Sequence, residues 1–286
     1  MNLVPLKIVT IVGCCYHLTP NEFARWLVNQ AAKIGLQLQG VIISNNALHP
    51  LNIYYSSIRV QTGSNEYLDF SGYFEGLQSL QSETPEIRDV ILFVNDSLIT
   101  KHSGALILRK TLAHIALCRE MRCAAIVGKA DNYTSICLKN PWSGTQMYIS
   151  SFCFMLNHQG QSLLNQMLEF AHKDNILDMH RVHDDDWGAN IDSRFCELVR
   201  AHLIYGNSPY SWRKDYAVHF DEDILQKKSR CCYFEHRLTG AISAEGALIP
   251  INTGFKARTH IFLGEQLAKA SKWCGKILSN KKVENT

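Results

Sequence analysis

The most apolar stretch of the chain is short. Val90 to Val94 (VILFV) is aliphatic or aromatic throughout and ends abruptly in Asn95, Asp96 and Ser97. A run of this length between polar residues predicts a strand buried on both faces at the centre of a sheet. Lys7–Val12 (KIVTIV), Leu36–Ser44 (LQLQGVIIS), Cys123–Val127 and Met147–Leu156 (MYISSFCFML) read as further strands, and Ser57–Val60 as a short one. Between the first two lies a helix signal. Thr19 can cap, Pro20 suits the first helical position, and Glu22 closes a capping box. Phe23, Trp26, Leu27 and Ile34 supply an apolar stripe, and Gly35 fits the exit. A strand–helix–strand opening predicts an α/β fold with a mostly parallel central sheet flanked by helices.

The rest of the pattern fills in that architecture. Gly63 to Leu77 is a polar, glycine-bearing loop running into a helix. Ser103–Met121 and Gln161–His172 read as helices, the second after a cap at Asn157, and Ile191–Tyr205 as another. Asn140 to Gly144 is a turn. Residues 1–215 form the expected body. Residues 216–286 are richer in lysine and arginine and read as a partly helical C-terminal extension, with a helix over Thr259–Leu278.

Composition narrows the classes. A chain of 286 residues with 46% hydrophobic and 19% charged residues is ordinary for a globular protein, and a net charge of +3 does not argue for nucleic acid. The ten cysteines contain no CxxC; Cys14-Cys15 and Cys231-Cys232 are adjacent pairs. They read as small buried hydrophobes in a reducing cytoplasm. No local motif marks a Cys–His nucleophile pair. Met1–Leu6 is too short for a signal peptide, and no apolar run approaches the roughly 20 residues of a membrane span. The first turn lacks GxGxxG, and GxxxxGK[ST] is absent.

Candidate chemistry gathers in two places. Asn95, Asp96 and Ser97 stand at the carboxyl end of the central strand, where open α/β sheets bind ligands. A carboxylate there can hold a cation or sugar hydroxyls, though the same triplet also serves as a plain turn. The densest acidic run is His183-Asp184-Asp185-Asp186-Trp187-Gly188. Adjacent carboxylates repel one another, and burial would raise a pKa among them.

Three segments, in this order, resemble the nucleotide-sugar glycosyltransferases of GT-A fold, particularly bacterial enzymes of surface polysaccharide and lipopolysaccharide biosynthesis. They are Gly63-Ser64-Asn65 with the helix after it, Val90–Ser97, and Met147–Leu156 with its helix. The resemblance covers roughly residues 7–205. It implies a transferase moving a sugar from a nucleotide-sugar donor to a glycan or lipid-linked saccharide acceptor. Asn65, Asn95, Asp96 and Ser97 would bind the donor, and Asp96 would hold Mg²⁺ or Mn²⁺.

Deprotonating the acceptor then calls for a base from Asp184, Asp185 or Asp186, with Asp186 the narrowest choice and His183 the alternative. Trp187 either stacks on a sugar or packs in the core. The sequence departs from the family where Asn95 replaces a carboxylate of the Asp-x-Asp signature. Without a metal, the diphosphate charge falls to Lys101, His102, Lys129, Arg181 or helix N-termini. That departure also motivates the alternative of a catalytically degenerate nucleotide-sugar-binding scaffold in a polysaccharide assembly complex. Leu263, Leu267, Ala270, Cys274 and Ile277 recur at helical spacing, with Lys269, Lys272 and Lys276 on other faces. That helix either packs on the body or lies on an anionic membrane. The expected location is cytoplasmic, peripheral on the inner face of the cell membrane.

Overall fold

The computed structural model describes residues 7–51, 55, 57–83, 89–133, 135–177, 181–205 and 221–253, with 259, 261–263 and 266 beyond them. In chain order the elements are β1 (Lys7–Cys15), α1 (Pro20–Ala32), β2 (Leu36–Ser44), β3 (Ile58–Thr62), α2 (Asp69–Glu83) and β4 (Ile91–Asn95). Three short helices come next: α3 (Ser97–Thr100), α4 (Gly104–Leu112) and α5 (Ile115–Glu120). Then come β5 (Ala125–Asn132), β6 (Met147–Leu156), α6 (His158–Asn165), α7 (Met167–Lys173) and α8 (Ser193–Arg200), the last running into a π-helical turn, Ala201–Tyr205. The described chain closes with α9 (Glu222–Glu245) and β7 (Ala247–Pro250).

The strands make one sheet in the order β3-β2-β1-β4-β6-β5-β7. Pairings are parallel except those of β6, which runs antiparallel to both β4 and β5. The fold is therefore α/β, a seven-stranded, mostly parallel sheet flanked by helices. Side chains alternate between two cores. Ile91 and Phe93 of β4 join Val12, Phe70, Tyr73 and Phe154 on one face, beneath α2 and α9. Leu92 and Val94 join Ile11, Phe23, Leu27 and Ile107 on the other, beneath α1 and α4. The central run is buried on both sides because helices cover both faces.

Several expectations need correction. In α1 the capping box forms as read, but Ile34 is exposed, and Ala24 and Ala31 complete the buried stripe instead. The helix expected over 103–121 divides at Ala113 and His114. There the His114 N–H bonds to Thr111 O, three residues back, and its ring nitrogen engages Lys110 O. The helix after β6 starts earlier, at His158, and divides at Gln166. The largest difference lies in the C-terminal extension. α9 packs on β6, and β7 pairs with β5, so residues 222–250 complete the same layered unit as the body. The helix expected over 259–278 falls mostly outside the described residues. Among the described residues, no helix is long and apolar enough to cross a membrane.

One close approach sets the position of α2 over the strand ends. Gly72 and Gly76, one turn apart on α2, lie against β1. A Cβ on Gly72 would sit 2.7 Å from Cys14 Sγ, and one on Gly76 would sit 2.4 Å from Val12 Cγ1. The absent side chains let α2 press on the sheet and bring Asp69, its first residue, over the edge. Alanine at Gly76 would gain ~1 kcal/mol of helix propensity, while overpacking costs ~1–3 kcal/mol. We expect Gly76→Ala to lose about 1 kcal/mol net, read from the urea midpoint. An unchanged or higher midpoint would mean that α2 can lift off β1.

Candidate functional site

The strand order turns at β1, whose neighbours are β2 on one side and β4 on the other. In open α/β sheets the crevice outside the carboxyl ends at such a point is where ligands bind. Backbone bonds hold the ends level: Asn45 N to Cys15 O at 2.9 Å, Asp96 N to Cys14 O at 3.1 Å, and Gly63 N to Ser44 O at 2.8 Å.

Asp96 is the centre of this edge. Its Oδ2 accepts the backbone N–H groups of Tyr16 at 3.0 Å, His17 at 2.6 Å and Leu18 at 2.8 Å. These three amides precede the α1 cap and have no helical partner. Successive backbone N–H groups of this kind form a nest for an anion. Here the nest is filled by the protein's own carboxylate, which is 3% exposed. Asn95, also buried, accepts from Ser97 N at 3.1 Å and from the Ser97 hydroxyl, and its side chain hydrogen-bonds Asp69. The expected donor triplet is therefore present at the crevice, but much of its bonding capacity knits the loop.

Asn65 lies in the loop between β3 and α2. It is in the left-handed region at φ 56°, followed by Leu68 at φ 52°. The loop is fastened by Ser64 N to Glu75, by Tyr67 N to Ser71 Oγ at 2.6 Å, and by Asn45 Nδ2 to Leu68 O at 2.7 Å. Asn65 Oδ1 and Asn45 Oδ1 are buried acceptors that no donor reaches among the described residues.

α9 meets the sheet at β6. β4 stops at Asn95, while β6 continues beyond their last pair, Val94 with Cys153. The amides of β6 left without a strand are met by side chains. Thr239 Oγ1 accepts from Ile149 N at 3.1 Å, and Glu235 Oε1 accepts from Ser151 N at 2.6 Å. Tyr73 donates its hydroxyl to Ser151 O at 2.7 Å. Lys228, Cys231 and Glu235 recur at one-face spacing along α9. Nearby, Lys129 pairs with Asp131 at 3.1 Å, Ser150 donates to the other Asp131 oxygen, and His102 stacks on Phe152 at 3.9 Å.

Electrostatics join these groups. Burial raises the Asp69 carboxyl, and the charge of Asp96 adds to this while Lys228 and Lys101 oppose it. Burial likewise raises Glu235 against the pull of Ser151 N and Lys228. Burial works to strip the proton from Lys228, but Cys231, Cys232, Asp69 and Glu235 outweigh it and raise its pKa. His202, on the π-helical turn, falls to about 4 through burial and Lys228. His236 falls to about 3 through burial and His202, with Tyr133 OH 2.9 Å from its Nδ1.

The acidic run lies elsewhere. Asp184, Asp185 and Asp186 are exposed on a turn. Asp184 Oδ2 accepts Arg181 N at 2.6 Å, and Arg200 donates to Asp184 O at 2.7 Å. His183 reaches Glu222 at 3.7 Å. Trp187 is 1% exposed and packs in the core, which removes it as a sugar platform. Arg181 is exposed beside this run, whereas Lys101 acts on Asp69 at the crevice.

No protein-family model and no characterised protein matches this chain. The site is therefore read from its own chemistry. A divalent ion fits poorly at Asp96: one oxygen is taken by three amides, its neighbour is Asn95, and the nearby charges include ammonium groups. Among the described residues, no group of three or more His, Cys, Asp or Glu converges as metal ligands. Asp69, Asp131, Lys228 and Glu235 carried no sequence signal. They are scattered along the chain, and only the topology brings them together.

Two outcomes are expected. Asp96→Ala strands three amides, so it should cost about 3 kcal/mol in urea unfolding and speed hydrogen exchange at Tyr16, His17 and Leu18. Unchanged exchange there would remove the clamp. The second concerns pH. A histidine held below its ordinary 6.5 takes up a proton on unfolding, so His202 and His236 withdraw stability as pH falls from 6.5 toward about 4 and about 3. Asp69 and Glu235 are raised, so they act with the opposite sign above the usual carboxylate range. Comparing His236→Gln with the parent isolates the histidine share: the fall in melting temperature between pH 6.5 and 4 should be shallower in the variant. A parallel fall in both proteins would refute it.

Proposed function

We propose that this chain is a glycosyltransferase of GT-A type that moves a sugar from a nucleotide-sugar donor to a saccharide or lipid-linked acceptor. The observation that carries the reading is the polar crevice at the turn of the strand order. It gathers Asn95, Asp96 and Ser97 at the end of β4 and Asp69 at the start of α2, with the charge of Lys228 on α9 acting on Asp69. A mostly parallel sheet with one reversed strand supports it, as does Asn65, a buried acceptor in a left-handed loop suited to a hydroxyl-rich ligand.

Glycosyl transfer asks for a base at the acceptor hydroxyl and for charge stabilisation at the departing diphosphate. Glu235 has the burial and the raised pKa that suit a base. Asp186, Asp185 and Asp184 are the competing source, on their exposed turn. A second reading, a binding scaffold without turnover, is favoured by Asn95 in place of a carboxylate and by the engagement of Asp96 within the fold.

Thermal-shift screening against nucleotide sugars tests the shared premise, because a ligand that binds only the folded state raises the melting temperature. We expect one donor to do so, and turnover with a saccharide acceptor to accompany it. Binding with no turnover on any acceptor would select the scaffold. For the base, Glu235→Gln should lower kcat by about two orders of magnitude with donor binding kept, while Asp186→Asn stays near the parent. The reverse ranking would return the role to the acidic turn.

A further inference from the structure

We propose that the helical layer of α1, α4 and α5 docks on an anionic lipid bilayer. This docking is independent of the donor-site reading.

The two helical layers over the sheet differ in charge. α1, α4 and α5 cover the face whose core holds Phe23, Leu27, Ile107, Leu108 and Cys118. On their solvent side, and in the turns that follow them, stand Arg25, Lys33, Arg109, Lys110, Arg119 and Arg122, against Glu22 and Glu120. Arg119 is spent on Asp89, at 2.8 Å and 3.0 Å. Among the described residues the other five cations make no ion pair. The layer on the other face is the reverse. There Lys173 meets Glu169 at 2.7 Å, Arg194 meets Asp192 at 2.6 Å, Lys227 meets Asp223 at 2.7 Å and Arg237 meets Asp174 at 3.1 Å. Exposed carboxylates remain in surplus on that side, among them Asp184, Asp185, Asp186 and Glu197. Opposite charge on two faces turns one of them toward an anionic surface.

The basic layer is continuous and carries apolar groups. A Cβ on Gly104 of α4 would sit 3.1 Å from the Trp26 ring of α1, so the two helices are in contact. Beside Trp26 a cavity of about 270 Å³ opens, lined by Leu18, Glu22, Arg25, Trp26, Asn29 and Ile99. Glu22 in its wall is engaged by the Thr19 hydroxyl at 2.7 Å. Indole and guanidinium thus lie side by side, a pairing suited to the headgroup region of a bilayer. Leu117 on α5 is 45% exposed. Ile261 is buried in the same core, and Phe262 and Leu263 after it are 59% and 50% exposed. Phosphates of a bilayer can meet the cations while its acyl region receives these side chains. Nucleic acid offers the leucines no apolar phase to enter.

Vesicle sedimentation of the full chain tests this. Vesicles of phosphatidylcholine mixed with phosphatidylglycerol should bind the protein at low salt, and phosphatidylcholine alone should not. Salt at about 1 M, where the Debye length is about 3 Å, should release most of it. A cation near such a surface contributes about fivefold in binding. Arg109→Gln, Lys110→Gln and Arg122→Gln together should therefore weaken binding about a hundredfold, and Arg109→Gln alone about fivefold. Leu117→Ser with Phe262→Ser should cost about tenfold. Lys173→Gln, on the acidic layer, should bind like the parent. Equal binding to neutral vesicles, or none to either kind, overturns the inference. So does parental binding by the Arg109 and triple variants, which would leave the attraction to lysines beyond residue 263. Binding to RNA in place of vesicles overturns it as well. Donor-dependent melting is read without lipid, so this inference and the donor site can fail separately.

Discussion

The edge of the sheet depends on one oxygen. Asp96 Oδ2 gathers three backbone amides from the segment between β1 and α1 and so fixes the end of β4 to the start of the first helix. Hydrogen bonds from neutral donors to a carboxylate are among the stronger ones a protein makes, and buried amides without partners are costly. The arrangement settles both needs at once. It also sets the level of the other strand ends, because Asp96 N binds Cys14 O and Asn45 N binds Cys15 O, on either side of the same β-strand terminus.

A second constraint comes from unequal strand lengths. β4 contributes five residues between strands of nine and ten. The sheet therefore has a notch beyond Asn95, and the exposed amides of β6 must find acceptors. Thr239 and Glu235 supply them from α9, and Tyr73 covers a carbonyl from α2. Filling the notch with side chains instead of a strand is what makes it polar. The same bonds that complete the sheet leave Glu235 near Lys228, whose charge also acts on Asp69. Structure and candidate chemistry thus share the same atoms.

The elements visible in the sequence are those whose burial obeys a local pattern. β2 and β6 were readable to the residue, and the α1 capping box to the atom. α9 was not, although it is the longest helix described. Its sheet-facing side carries Lys228, Ser229, Glu235, His236 and Thr239 among apolar residues, so no clean stripe appears. Distant elements supply partners for several of them: Ser151 for the half-buried Glu235, Ile149 for the buried Thr239 and Tyr133 for the buried His236. The site divides in the same way. Asn95, Asp96 and Ser97 end an apolar run and could be found. Asp69 stands far from Lys228 and Glu235 along the chain, and nothing local announces any of the three.

The contrast between the two acidic groups shows why a conspicuous run is a weak guide. Asp184, Asp185 and Asp186 face water, where solvent screens their mutual repulsion, and the turn engages one oxygen of Asp184. Asp69 and Glu235 are dispersed in sequence, but burial penalises the charge of each and the charge of Lys228 offsets that in both. A group whose charge depends on its neighbours responds most when another ion enters.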